Sequence, residues 1–124
     1  MDKKKILIID DEEDFTKLIK SNLELTGNYE VKTENKSMYG FIAAKEFKPD
    51  LILLDVMMPG MDGGDVCNQL GGDRDTKDIP VVFLTAVVKQ DEIKEKNGVI
   101  GGRAFISKPI DVEKLVDIIE KNIR

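Results

Sequence analysis

Short apolar runs closed by polar turns alternate along this chain with longer stretches whose apolar residues recur every three or four positions. The short runs read as strands buried on both faces, and the longer stretches as amphipathic helices. Lys3-Lys4-Lys5-Ile6-Leu7-Ile8-Ile9 opens the series and runs into Asp10-Asp11-Glu12-Glu13. Phe15, Leu18, Ile19 and Leu23 then predict a first helix from about Glu12 to Thr26, ended by Gly27-Asn28. Tyr29 to Thr33 alternates apolar and polar, the pattern of a half-buried strand toward a sheet edge. Met38, Phe41, Ile42 and Ala44 to Phe47 predict a second helix, with Gly40 a weak point inside it. Pro49 introduces Leu51-Ile52-Leu53-Leu54, which stops on Asp55 and the turn Val56-Met57-Met58-Pro59-Gly60-Met61-Asp62-Gly63.

The second half repeats the theme. Gly63 to Leu70 reads as a short third helix cut off by Gly71-Gly72, and Ile79 to Leu84 as a fourth buried strand ending at Thr85-Ala86. A charged fourth helix is expected over about Gln90 to Asn97, a loop over Gly98 to Gly102, and a short fifth strand at Ala104-Phe105-Ile106. Asp111 caps a last helix in which Val112, Leu115, Val116, Ile119 and Ile123 keep the helical period. Five strands alternating with five helices and short connections predict an α/β fold, a doubly wound parallel sheet. Open sheets of this kind place their chemistry at the C-terminal ends of the strands. Asp10, Asp11 and Asp55 all fall there, and they converge if the first and third strands are neighbours. Like charges about 4 Å apart repel by roughly 4 kcal/mol at an effective dielectric near 20, so such a cluster calls for a cation. An all-oxygen set without imidazole or thiolate favours a hard one such as Mg²⁺.

Composition narrows the chemistry further. The 124 residues include no histidine, which excludes Ser-His or Cys-His catalysis, His-ligated zinc and a phosphohistidine on this chain. Cys67 is the only cysteine, so no internal disulfide is expected and a reducing cytoplasm suits the chain. The net charge of −5 argues against direct nucleic-acid binding, and no apolar run approaches the length of a membrane span. The length suits a single domain over residues 1–124. The acidic loop Asp73 to Asp78 lacks the turn glycine and terminal glutamate of a calcium-binding loop and reads as a solvated connection.

Asp-Asp after the first strand, LILLDVMMPGMDG around the third, Leu84-Thr85-Ala86 and Ser107-Lys108-Pro109 occur in one order across nearly the whole chain. In these motifs the chain resembles the receiver domain of two-component response regulators, the CheY-like family. The resemblance implies a flavodoxin-like (βα)5 sheet in the order 2-1-3-4-5. It implies Asp55 as the acceptor of a phosphoryl group from the phosphohistidine of a sensor histidine kinase or histidine phosphotransfer protein. It also implies Mg²⁺, with Mn²⁺ as a substitute, on Asp11, Asp55 and the Met57 backbone carbonyl, with Asp10 acting through water. Lys108 is expected to pair with Asp55 at rest and with the phosphoryl group afterwards, its bond to Pro109 cis as in the family. Thr85 and Phe105 occupy the family's switch positions: Thr85 would move toward the phosphoryl oxygens and Phe105 would turn inward. The fourth helix, fifth strand and last helix would then present a changed face to an output partner or domain, or to a second copy in a phosphorylation-linked dimer.

Taken singly, Lys108 reads equally as a surface lysine, Thr85 as an ordinary strand end and Phe105 as core. Where many relatives carry Asp-Asp, this chain has Arg103-Ala104, and Phe105 lacks a hydroxyl. Met57 and Val87, two residues beyond Asp55 and Thr85, are apolar, and slow loss of the phosphoryl group to water is expected. Two other readings stay open at this point. A haloacid-dehalogenase-type phosphatase also uses a strand-end aspartate, but it expects a second aspartate where Met57 stands. A receiver that works unphosphorylated would not require the full set of Asp10, Asp11, Asp55, Thr85 and Lys108.

Overall fold

The computed structural model describes residues 2–86, 99–100 and 103–123, leaving out the side chains of residues 99, 100 and 103. In chain order the elements are β1 (Lys4–Ile9), α1 (Glu13–Leu25), β2 (Tyr29–Glu34), a 3-10 turn (Ser37–Tyr39), α2 (Gly40–Phe47) and β3 (Leu51–Asp55). There follow α3 (Gly63–Gly71), β4 (Val81–Thr85), β5 (Val99–Ile100), β6 (Arg103–Ser107) and α4 (Val112–Asn122). The sheet runs β2-β1-β3-β4-β6-β5, and all pairs are parallel except β5 with β6. Without the short β5, this is the expected parallel order 2-1-3-4-5.

The apolar runs behave as their pattern requires. Ile6 to Ile9 and Leu51 to Leu54 have no exposed surface, because each strand is sandwiched between two helical layers. Alternate residues feed two cores. Ile6, Ile8, Leu51 and Leu53 pack with Ile19, Leu23, Leu115 and Ile119 of α1 and α4. Leu7, Ile9, Ile52 and Leu54 pack with Ala43, Ala44, Val66 and Leu70 of α2 and α3. Gly27, at φ +83°, ends α1, and the Asp111 side chain accepts from the Glu113 N–H at the start of α4.

Several boundaries differ from the sequence reading. Residues 98–102 were expected as a loop, yet Val99–Ile100 pairs antiparallel with Arg103 and Ala104, a pairing between neighbours that leaves no mark on the apolar pattern. The fifth expected strand is correspondingly longer, Arg103–Ser107. The fourth strand starts at Val81, since Pro80 has no N–H for the ladder. The second helix opens as a 3-10 turn and becomes α-helical at Gly40, where a Cβ would lie 3.0 Å from Ile9 Cδ1. Leu18 is exposed, because the inward stripe of α1 runs through Thr16, Ile19 and Leu23 instead. The expected fourth helix and Val87 lie outside the described residues. Among the described residues, no helix is long and apolar enough to cross a membrane.

Candidate functional site

Register decides what meets at the C-terminal edge of the sheet. Ile9 lies beside Leu54, so Asp10 follows β1 where Asp55 ends β3. Thr85, the last residue of β4, lies beside Ser107, the last of β6. Backbone hydrogen bonds hold these ends together: Asp10 N–H donates to Glu34 O (3.1 Å), Val56 N–H to Leu84 O (3.0 Å) and Lys108 N–H to Thr85 O (2.8 Å). Carboxylate oxygens of Asp10, Asp11 and Asp55 all lie within 4.8 Å of one another. Asp10 and Asp55 are 0% and 4% exposed, while Asp11 faces solvent.

Three acids this close press against each other, and two of them, Asp10 and Asp55, are also held apart from water. Burial first, then the neighbouring Asp10 charge, pushes the Asp55 carboxyl up to about 7, against the pull of Lys108 and the Met57 backbone N–H. Burial also raises Asp10, partly offset by Lys108 and by the Glu12 N–H, which donates to Asp10 Oδ1 at 2.9 Å. For Lys108, burial works against the charge, but the close carboxylates of Asp10 and Glu12 outweigh it and raise its pKa. Asp10 Oδ2 has an ion-pair contact with Lys108 at 2.7 Å but lacks an aligned hydrogen-bond partner. A crowded acid edge with a buried carboxylate oxygen left unaligned suits a small hard cation. The donor set therefore fits a metal, with Asp11 at the open side.

The sequence-expected residues occupy these places. Asp10, Asp11 and Asp55 form one cluster. Lys108 points into it, across a cis Lys108-Pro109 peptide bond. Its short contacts are Asp10 and Glu12, both at 2.7 Å, while the expected partner Asp55 lies at 4.0 Å. Met57, two residues after Asp55, is 62% exposed. Thr85 is buried at the end of β4. Phe105, on β6, is only 5% exposed and packs with the α2–α3 core. In this structure the ring already lies inside, on the strand beside Phe83 and against the second core.

Three contributors escaped the sequence reading. Asn35 Nδ2 donates to Asp10 O (2.8 Å) and to Thr16 Oγ1 (3.0 Å), tying the turn after β1 to α1 and the end of β2. Glu12, read only as the start of a helix, reaches Lys108. Gly63 sits so close beneath the end of β3 that a Cβ would run into the Asp55 carbonyl oxygen and lie 3.0 Å from Val56 Cα. The glycine of the MDG segment was the available signal for the last of these. Asn35 and Glu12 carry none, because their partners are distant in sequence or ordinary in type.

Residues 6–120 match the response regulator receiver domain family. The transcriptional regulator RpaA of Synechocystis is 39% identical over 121 residues, which are 97% of this chain and 49% of RpaA. The polar-differentiation response regulator DivK of Brucella anthropi is 35% identical over 118 residues, 94% of each chain. The chain thus spans about half the length of RpaA and nearly all of DivK. Among solved structures, the chemotaxis protein CheY4 of Vibrio cholerae superposes with a TM-score of 0.84 at 24% identity, covering 98% of this chain and all of its own. The order of the sheet, the acid cluster at its edge and the match across 6–120 lead to one conclusion: the chain belongs to the response regulator receiver domain family, the phosphorylation-controlled switches of two-component signalling.

Proposed function

We propose that Asp55 is the phosphoacceptor of this switch and that the surrounding residues make it one. The observation that carries the reading is the convergence of Asp10, Asp11 and Asp55 within 4.8 Å, with Lys108 Nζ 4.0 Å from Asp55. In the transfer, an Asp55 carboxylate oxygen attacks phosphorus, the P–N bond to a partner's histidine breaks, and the imidazole nitrogen leaves with the electron pair. A phosphohistidine donor must come from another protein, a sensor histidine kinase or histidine phosphotransfer protein, since this chain has no histidine.

A carboxylate is a weak nucleophile, so positioning and charge neutralisation supply most of the acceleration. Asp11, Asp55 and the Met57 carbonyl would hold Mg²⁺ (or Mn²⁺ in its place), with Asp10 acting through water. Bound there, the ion offsets the repulsion between Asp55 and phosphoryl oxygens. Lys108 contributes the second positive charge, and the Thr85 hydroxyl donates to a phosphoryl oxygen. The product brings about two negative charges to the edge of β3. Thr85 moves toward the phosphoryl oxygens, and Phe105 turns further into the second core and carries the change outward through β6. The output is a partner or domain that reads the face formed by β6 and α4, a second copy among the candidates.

Residues 1–124 act as one receiver domain, in the cytoplasm, which contacts no nucleic acid itself and turns over no substrate beyond its own phosphoryl group. The phosphatase reading loses support from Met57, which leaves no second aspartate, and the unphosphorylated reading from the complete acid–lysine–threonine set. Acetyl phosphate with Mg²⁺ tests the assignment: mass spectrometry should find one added phosphoryl group on the chain and none on Asp55→Asn. Uptake by both proteins would move the acceptor elsewhere.

A further inference from the structure

We propose that Glu12 is a positioning residue, a resting latch that holds Lys108 on the α1 side of the site and sets how readily the lysine turns to a group on Asp55. The inference rests on the reading of Asp55 as acceptor. Lys108 Nζ lies 2.7 Å from Glu12 Oε1, 2.7 Å from Asp10 Oδ2 and 4.4 Å from the centre of the Phe15 ring. Asp55 Oδ2 is the farthest of its anionic neighbours, at 4.0 Å. An ammonium has three protons to place, and two short carboxylate contacts plus a ring face leave Asp55 the worst served.

The latch is built into the turn. The Glu12 N–H donates to Asp10 Oδ1, so the bond that fixes Asp10 also presents Glu12 to the lysine. The two carboxylates differ in what they can surrender. The Asp10 side chain is fully buried and would be stranded without Lys108, whereas the Glu12 side chain is 62% exposed and returns to water at little cost. A phosphoryl group on Asp55 offers new acceptor oxygens, and Glu12 is the contact that competes with them. Because an exposed pair is weak, Glu12 tunes the site rather than locking it.

Beryllofluoride, which mimics a phosphoryl group on a carboxylate, is the probe, titrated with Mg²⁺ into the native chain, Glu12→Gln and Glu13→Gln. The Glu12→Gln substitution keeps the backbone bond to Asp10 and removes only the charge. Glu13 carries the same charge but is not among the ion-pair partners of Lys108. Glu12→Gln should bind beryllofluoride about two- to fivefold more tightly, the range of an exposed ion pair, with Glu13→Gln unchanged. Equal gains in both variants would reduce the effect to general charge and overturn the latch, as would weaker binding in Glu12→Gln. A second readout needs no ligand. The Lys108 side-chain ammonium resonance in metal-free protein should shift in Glu12→Gln and not in Glu13→Gln, and an unmoved resonance overturns the proposal. If the native chain itself fails to bind beryllofluoride, the acceptor reading fails, and the resonance alone then decides the latch.

Discussion

Asp55 is buried beside Asp10 and Asp11, and its carboxyl is raised from the ordinary 3.8 to about 7. This has a consequence for stability. A carboxyl whose folded pKa exceeds its unfolded one stabilises the fold fully below the unfolded value and loses that contribution as pH rises through the folded value. Asp10 shifts in the same direction, while the raised Lys108 matters only at alkaline pH. Metal-free protein should therefore be more stable at about pH 5 than at about pH 7.5, by roughly 2–3 kcal/mol from Asp55. Urea unfolding in a chelator at the two pH values measures this, and Asp55→Asn should flatten most of the slope. The lifetime of the phosphoryl group is also set by single residues. Exposed Met57 offers no polar group to orient an attacking water, so replacing Met57 with Asn and Val87 with Glu should speed its loss by up to about a hundredfold. Equal decay in the native and doubly substituted chains would contradict this.

At the scale of elements, the joint between β3 and α3 is the tightest part of the site. Gly63 begins α3 directly under Asp55, its N–H donating to Val56 O at 2.8 Å. A methyl group there must displace backbone rather than a flexible side chain. Gly63→Ala should cost about 1–3 kcal/mol in urea unfolding and weaken Mg²⁺ binding together with it, because the displaced strand carries the acceptor. Asp62 closes the same joint: its Oδ1 accepts from Asp65 N–H at 2.9 Å, and Asp65 Oδ2 accepts in return from Asp62 N–H at 3.3 Å. Asp62→Ala should cost only about 1 kcal/mol and leave metal affinity nearly intact, since the cap is exposed and stands outside the acid cluster.

The strands were legible in the sequence because burial on both faces leaves an unbroken apolar run, and the three acids because each followed such a run. Legibility failed where the cause was three-dimensional. Val99–Ile100 has no strand pattern apart from its pairing with β6. Thr16 takes an inward place on α1 because its hydroxyl has partners in Glu13 O and Asn35, so the stripe bypasses Leu18. The further Lys108 partners, Asp10 and Glu12, were hidden for the same reason: sequence order reveals a strand-end lysine but not which of several nearby carboxylates lies closest.

For the whole molecule, charge is the common thread. A chain of net charge −5 concentrates three acids at one edge of its sheet, where they oppose folding unless neutralised. Mg²⁺ should therefore stabilise the native chain near neutral pH by about 2.7 kcal/mol at a hundredfold excess over its dissociation constant, visible as a rise in Tm that Asp11→Asn and Asp55→Asn largely abolish. The central claim is that these separated residues act on one group carried by Asp55. A crystal structure with Mg²⁺ and beryllofluoride tests it most directly. The expected result is beryllium bonded to an Asp55 carboxylate oxygen, the ion on Asp11, Asp55 and the Met57 carbonyl, and Lys108 and Thr85 on the fluorides. Beryllofluoride bound at another side chain, or an ion held away from Asp11 and Asp55, would contradict the account.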